Sequence, residues 1–227
     1  FGFPAFRAGQ QTLIDAVLSG RGALGVMPTG GGKSLCYELP ALLLPGMTLV
    51  VSPLISLMKD QVMALRNAGI PAGCINSSMS LDELRETYRD ARYGAYKLLY
   101  VAPERLLTDG FCSLAQELEI PLVAVDEAHC ISQGGQDFRP SYLKIVEFLQ
   151  RLPRRPAVAA FTATATAQVR ADIIRILQLH EPETVVTGFD RPNLRFEVLR
   201  PKDKRTALLQ LLSERRDKSG IVYCATR

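Results

Sequence analysis

The sequence predicts an α/β domain, a mostly parallel sheet with helices on both faces. Three observations carry this. Short apolar runs alternate with segments of helical period, the pattern of repeated strand–helix–strand units. Most of these runs are continuously apolar rather than alternating, which suits strands covered on both sides. The 227 residues are 47% hydrophobic and 22% charged, a balance that supports a packed core. That length accommodates one sizeable domain plus a remainder, or two small domains.

The expected strands run over residues 23–27, 48–52, 72–75, 97–101, 122–126, 157–162 and 184–187. Helices are expected between them. After the first strand comes a helical run at Leu35–Leu43. Residues 55–68 place Leu57, Met58, Val62 and Leu65 on one stripe, and Gly69 stops the helix. Ser80-Leu81-Asp82-Glu83 has the form of a capping box and opens a polar helix to about Arg92. Residues 166–177 repeat the helical period and end shortly before Pro182. Around residues 188–193 the texture turns to loop chemistry. Beyond it a strand over 194–199, a helix from about Asp203 to Arg216 and a strand over 221–224 are expected. About 35 residues bury too little surface to fold alone. The division is therefore 1–190 for the main domain and 191–227 for a linker and the incomplete start of a second.

Charge is distributed unevenly. Residues 191–227 hold ten Lys/Arg and four Asp/Glu, a net +6, whereas residues 1–190 hold 17 and 19, a net −2. The main domain is no general magnet for nucleic acid, so a nucleic-acid role has to rest on motifs. No apolar run approaches the roughly 20 residues that span a bilayer, and no membrane association is expected. The chain opens Phe1-Gly2-Phe3-Pro4 without a secretory signal or an initiator Met, so the start is expected upstream. Its cysteines, Cys36, Cys74, Cys112, Cys130 and Cys224, form no C-x-x-C pair and are odd in number. Neither a zinc site in this segment nor a disulfide framework is expected.

The strongest single signal is Met27-Pro28-Thr29-Gly30-Gly31-Gly32-Lys33-Ser34, set between the first strand and a helix. Glycines let a backbone fold so tightly that successive N–H groups converge on phosphate oxygens. Thr29, Gly30, Gly31 and Gly32 would form that cradle, Lys33 would reach the β- and γ-phosphates, and Ser34 would ligate Mg²⁺. The general P-loop pattern begins with Gly where this chain has Met27, so the match is to a variant. A ligand-free glycine turn is the plain alternative, and Gly-Lys-Ser at a strand-to-helix junction disfavours it. The second signal is Asp126-Glu127-Ala128-His129 at the end of the apolar run 122–125. On a strand neighbouring the first, Asp126 would hold the metal and Glu127 would orient and deprotonate the attacking water. The alternative for these acids is an ordinary helix cap.

Both motifs stand with others in an order that resembles superfamily-2 helicases, the RecQ family in particular. Phe6-Arg7-Ala8-Gly9-Gln10 is similar to that family's adenine-recognition element, which implies nucleotide contacts at Phe6, Arg7 and Gln10. The segment 51–61, with Ser52-Pro53-Leu54, resembles motif Ia. Residues 100–106, with Pro103-Glu104-Arg105, resemble motif Ib. Phe161-Thr162-Ala163-Thr164-Ala165-Thr166 resembles motif III, which links the nucleotide and nucleic-acid sites. Residues 188–194 and 220–224 resemble the passage into the second motor lobe. The resemblance covers essentially the whole chain. It implies a RecA-like P-loop NTPase lobe that binds ATP and Mg²⁺ and acts on single-stranded and partly duplex DNA, translocating 3′ to 5′. DEAD-box RNA helicases share the layout, but their box reads D-E-A-D. The resemblance places such a protein in the cytoplasm at the nucleoid if bacterial and in the nucleus if eukaryotic. It does not fix the oligomeric state.

One departure bears on function. Where the family usually reads S-Q-W-G-H-D-F-R-P, this chain reads Ser132-Gln133-Gly134-Gly135-Gln136-Asp137-Phe138-Arg139-Pro140. In relatives that loop senses single-stranded DNA, and base-on-aromatic stacking is worth roughly 1–3 kcal/mol. Gly134 removes the ring, while Phe138 and Arg139 remain. The expectation is that ATP binding persists and DNA stimulation weakens. The arginine finger of relatives lies in the second lobe, past Arg227. By the GTPase analogy such a finger is worth about 10³–10⁵-fold, so this segment alone is expected to hydrolyse ATP poorly. Two other readings stay open: a P-loop ATPase stimulated by RNA or a protein, and a nucleotide-binding scaffold whose coupling loop has decayed.

Overall fold

The computed structural model describes residues 2, 4–135, 137–188 and 194–224. Gln136 and residues 189–193 of the passage motif lie outside the described residues. The chain divides into two compact units, Phe1–Phe189 and Asp190–Arg227.

The first unit is built on seven parallel strands in the order β3-β4-β2-β5-β6-β1-β7. They are β1 (Ala23–Val26), β2 (Thr48–Val51), β3 (Ala72–Ile75), β4 (Leu98–Val101), β5 (Leu122–Val125), β6 (Ala157–Thr162) and β7 (Glu183–Val186). All seven expected strands are present, within a residue or so of their expected ends. β1, β2, β4 and β5 are buried at every position, as two-sided cover requires. Their side chains alternate between two cores. Leu24, Val26, Val123 and Val125 face one, and Ala23, Leu122 and Ala124 face the other.

Helices α1 (Gln10–Leu18), α2 (Leu35–Leu43) and α3 (Ile55–Asn67) cover one face, bringing Leu13, Tyr37, Met58 and Leu65 into its core. Helices α4 (Leu81–Arg92), α5 (Asp109–Glu117), α6 (Leu143–Arg151) and α7 (Ala167–Ile176) cover the other through Ala91, Phe111, Phe148 and Ile173. The capping box of α4 forms: the Ser80 hydroxyl accepts from Glu83 N at 3.3 Å, and Glu83 Oε2 accepts from Ser80 N at 2.7 Å.

Three helices escaped the sequence reading. α1 begins at Gly9, a left-handed residue with φ 80°, and neither it nor α5 or α6 has a side-chain cap. α5 carries start-type residues, Thr108 at its N-cap and Asp109 in its first turn, though Thr108 makes no cap bond, while α6 shows its apolar spacing in Ile145, Phe148 and Leu149.

In the second unit, α8 (Lys204–Glu214) starts at Asp203, whose carboxylate accepts from the amides of Arg205 and Thr206. The strands expected over 194–199 and 221–224 are absent among the described residues. A strand needs a hydrogen-bonded neighbour, and this short unit supplies none, leaving Phe196 91% and Ile221 80% exposed.

Candidate functional site

The carboxyl ends of four adjacent strands, β2, β5, β6 and β1, carry most of the expected site. The register places Val26 opposite Thr162 and Val51 opposite Val125, which aligns the residues that follow. Asp126 was expected on a strand neighbouring β1, but β6 lies between β5 and β1. The gap is filled chemically, because Thr162 at the end of β6 reaches the acidic box.

A cavity of about 430 Å³ opens here. Arg7, Gln10, Thr29, Gly30, Gly32, Lys33, Ser34, Asp126 and Glu127 line it, so the structure brings together most of the expected nucleotide residues. Phe6 and Gly31 are not in the lining, and Phe6 is an exposed side chain. Tyr37, Leu57 and Gln61 also line it and were missed as site residues. Helical spacing could have found them, since Tyr37 lies three residues after Ser34 and Gln61 four after Leu57.

The turn over 29–34 is tightly folded. Gly30 and Gly32 have φ of 79° and 83°, conformations that side chains rarely adopt. Among the described residues, no protein acceptor takes the amides of Gly32, Lys33 and Ser34, so three N–H groups remain available to an anion. Lys33 Nζ donates to the Met27 carbonyl at 3.1 Å. Gln10 is buried and ties the adenine-type element to this turn. Its Oε1 accepts from Arg7 N at 2.7 Å, and its Nε2 donates to the Gly32 carbonyl at 2.9 Å. Arg7 also donates to the Gly30 carbonyl. Gln10 thus spends one acceptor and one donor on backbone and keeps the remainder for a base.

Burial first, and the adjacent Glu127 second, push the Asp126 carboxyl up to about 6, with Lys33 opposing. An acid raised in this way binds its proton more tightly folded than unfolded. Ionised Asp126 therefore costs stability above about pH 6, and the cost vanishes below its ordinary value of 3.8. Asp126→Asn is expected to raise the thermal midpoint of the ligand-free protein at about pH 8, the gain shrinking to nothing below about pH 4. A gain that persists at the acid end would exclude this account. On α2, burial pushes Glu38 up to about 7, a second buried acid near the site that the sequence reading did not single out.

Glu127 sits in the left-handed region at φ 47° and ψ 44°, a strained conformation for a residue with a side chain. Its Oε2 lies 3.4 Å from His129 Nδ1, which also lies 2.7 Å from Thr162 Oγ1. The Thr162 hydroxyl donates to the Thr164 carbonyl at 3.1 Å, which leaves Nδ1 to donate. Box and motif III are thereby joined through His129.

The expected nucleic-acid residues divide by exposure. Ser52, Pro103 and Thr162 are buried and offer no surface to a ligand. Leu54, Glu104 and Thr164 are exposed, while Pro53, Arg105, Phe138 and Arg139 are half-buried. Arg139 pairs with Asp137 at 2.8 Å. Donor atoms of His129, Cys130 and Asp137 lie within 4.8 Å of one another, but the Asp137 carboxylate is already engaged by Arg139. Among the described residues a Cβ at Gly134 would meet Ser132 Oγ at 3.6 Å, whereas at Gly135 it would press on the His129 carbonyl at 2.8 Å. Gly134→Trp therefore places its Cβ without a clash among these residues. It is expected to raise DNA-stimulated ATP turnover at least about five-fold, the low end of base stacking at roughly 1 kcal/mol. No rise would count against the weakened-coupling account.

Residues 7–173 match the DEAD/DEAH box helicase family. Over its whole length the chain is 49% identical to the ATP-dependent DNA helicase RecQ of Bacillus subtilis (strain 168) and 45% identical to that of Pasteurella multocida (strain Pm70). It spans 39% and 36% of those curated relatives, well under half their length. Among solved structures, the Pyrococcus furiosus Hef helicase domain superposes with a TM-score of 0.61 at 20% identity, over 80% of this chain and 38% of that one. The DUF1998 helicase MrfA superposes with a TM-score of 0.66 at 18% identity, over 82% and 31%. At such identity the likeness is one of fold, the α/β architecture of RecA-like helicase domains.

Proposed function

Because the chain belongs to the DEAD/DEAH box helicase family and is similar throughout to RecQ proteins, we propose that it is the nucleotide-binding lobe of an ATP-dependent DNA helicase. The observation that carries this reading is the convergence of Lys33, Ser34, Asp126 and Glu127 on one cavity from two separate strand ends. In it, the free amides of the 32–34 turn and the Lys33 ammonium bind the phosphates, and Gln10 and Arg7 hold the base side of the site. Glu127 orients the attacking water and takes its proton.

The residues present fit Mg²⁺. The Ser34 hydroxyl and the Asp126 carboxylate are hard oxygen donors lining one cavity, and Asp126 is raised by burial and then by the adjacent Glu127, a charge balance that a divalent cation would ease. Held by Ser34 and Asp126, Mg²⁺ would supply positive charge to offset the charge on the phosphates. Hydrolysis is reported outward along Glu127, His129 and Thr162 to the segments around Thr164 and the 132–139 loop. Single-stranded DNA lies across that face and is translocated 3′ to 5′, as the RecQ resemblance implies.

The test is steady-state ATP hydrolysis by the full-length protein, with and without single-stranded DNA, with Lys33→Ala as the blank. Strong stimulation supports the helicase reading. A flat response with nucleotide still bound would displace it in favour of an RNA- or protein-stimulated ATPase or a nucleotide-binding scaffold.

A further inference from the structure

The box and its loop are gripped by the β6–α7 segment at two points. Thr162 lies against His129 at one, as described. At the other, the Ser132 hydroxyl donates to Asp172 Oδ2 at 2.7 Å, joining residues 40 apart in sequence. A cavity of about 490 Å³ lies between the two grips, lined by His129, Gly134, Gly135, Asp137 and Thr164 among others.

Ser132 is fully buried and works in both directions. Its hydroxyl accepts from Gly134 N at 3.2 Å while donating to Asp172, and its carbonyl accepts from Gly135 N at 3.0 Å. Two glycines in a row have no side chains with which to anchor themselves. The Asp137–Arg139 pair is internal to the loop, and Asp137 Oδ2 also accepts from Cys130 Sγ at 3.8 Å, which ties the loop back to the box but not to α7. Among the described residues, Ser132–Asp172 is the side-chain bond that joins the 132–139 loop to α7.

Asp172 has a partner beyond its own helix. Aspartate in a helix interior is unfavourable, and the N-cap of α7 is already supplied by Thr166, which accepts from Val169 N at 3.3 Å. Its other two partners, Gln168 and Arg175, sit at helical spacing on the same helix and hold the carboxylate in place. The Ser132 bond first, and Arg175 with it, keep this carboxyl below the usual range and therefore an acceptor.

We propose that Asp172 is a positioning residue: through the Ser132 hydroxyl it sets the Gly134–Gly135 turn, and so governs whether nucleic acid at Phe138 and Arg139 is felt at His129 and Glu127. The coupling half of this statement rests on the DNA-dependent reading above, while the loop-holding half does not.

Asp172→Ala, Asp172→Asn and Ser132→Ala in the full-length protein test it by two readouts. The first is ATP turnover with and without single-stranded DNA, and the second is amide hydrogen exchange over residues 132–139. Asp172→Ala is expected to lower stimulated turnover about ten-fold, the size of a lost hydrogen bond to a charged acceptor, with basal turnover and nucleotide affinity kept within about two-fold. Exchange at Gly134 and Gly135 should quicken. Asp172→Asn, which retains an acceptor oxygen, should recover most of the loss. Ser132→Ala, which also removes the acceptor for Gly134 N, should lose at least as much as Asp172→Ala, and the double variant should lose no more than Ser132→Ala. Equal loss of basal and stimulated turnover would reduce Asp172 to a structural role and overturn the proposal, as would unchanged exchange in the loop. If the unaltered protein ignores DNA, the helicase reading and the coupling half fail together, and exchange alone still decides whether Asp172 holds the loop.

Discussion

Glu127→Gln is expected to lower the steady-state rate of ATP hydrolysis by about 10²–10⁴-fold, the range for removing a positioned general base, while leaving nucleotide affinity within about two-fold. In the proposed function affinity rests elsewhere, on the 29–34 turn, Lys33 and the Gln10 tie, which line the same cavity. The structure gives two reasons to place the base here. Glu127 is held in a left-handed conformation that a side-chain-bearing residue avoids, a strain that persists only where the surroundings enforce it. Its carboxylate lies 3.4 Å from His129 Nδ1, at the start of the route to Thr162. A glutamine of the same shape keeps the packing and loses the proton acceptor. Single-turnover hydrolysis together with titration of a fluorescent ATP analogue separates rate from affinity. A variant that binds weakly yet turns over bound nucleotide normally would place Glu127 in binding and leave the base unassigned.

Gly32→Ala is the second large effect, and it falls on affinity. At φ 83° an alanine is strained by about 1–2 kcal/mol, and its Cβ would lie 2.3 Å from Gln10 Nε2. Gln10 must then withdraw, and its bond to the Gly32 carbonyl is lost, a further contribution of about 0.5–1.5 kcal/mol. The free loop relieves this by leaving its present shape, and nucleotide binding has to restore it. Together the two effects weaken nucleotide binding by about ten- to three-hundred-fold. Gly30→Ala is the control, because Gly30 has a similar φ of 79° but nothing within 4 Å of its Cβ. It should show the backbone strain alone and hence a smaller loss. Equal losses for the two variants would mean that Gln10 does not brace the loop.

Much of the fold was legible because its signals are local. Most of the seven strands are apolar runs, and two-sided burial writes such runs directly into sequence, whereas the edge strand β7 has no buried position. The capping box at Ser80 and Glu83 is equally local, a reciprocal pair three residues apart. Helices α1, α5 and α6 were not delimited; absent caps alone do not account for this, because α2 and α3 also lack a side-chain cap and were delimited by their apolar stripes and flanking turns. The strands expected at 194–199 and 221–224 failed for a reason of their own. Their β-type composition is present, but pairing is a property of two segments, and the described part of that unit supplies only one of each pair.

Sequence alone determined the family, through the order of its motifs, and the residue types brought to the site: a glycine turn ending in Lys33-Ser34 and an acidic pair at Asp126-Glu127. Motifs of contiguous residues carry such information whole, since their geometry depends on their own backbone. The tertiary structure alone decided how the motifs are wired. Strand order put β6 between the two phosphate-site strands and so brought Thr162 to His129. Burial turned Ser52 and Thr162 from expected contact residues into internal ones. Ser132 found Asp172 across 40 residues, and Gln10 found Gly32 across 22. A hydrogen bond of under 3 Å between distant segments leaves no periodic or compositional trace, because either partner alone is an ordinary polar residue. Only the packing of the sheet and its helices makes it a pair.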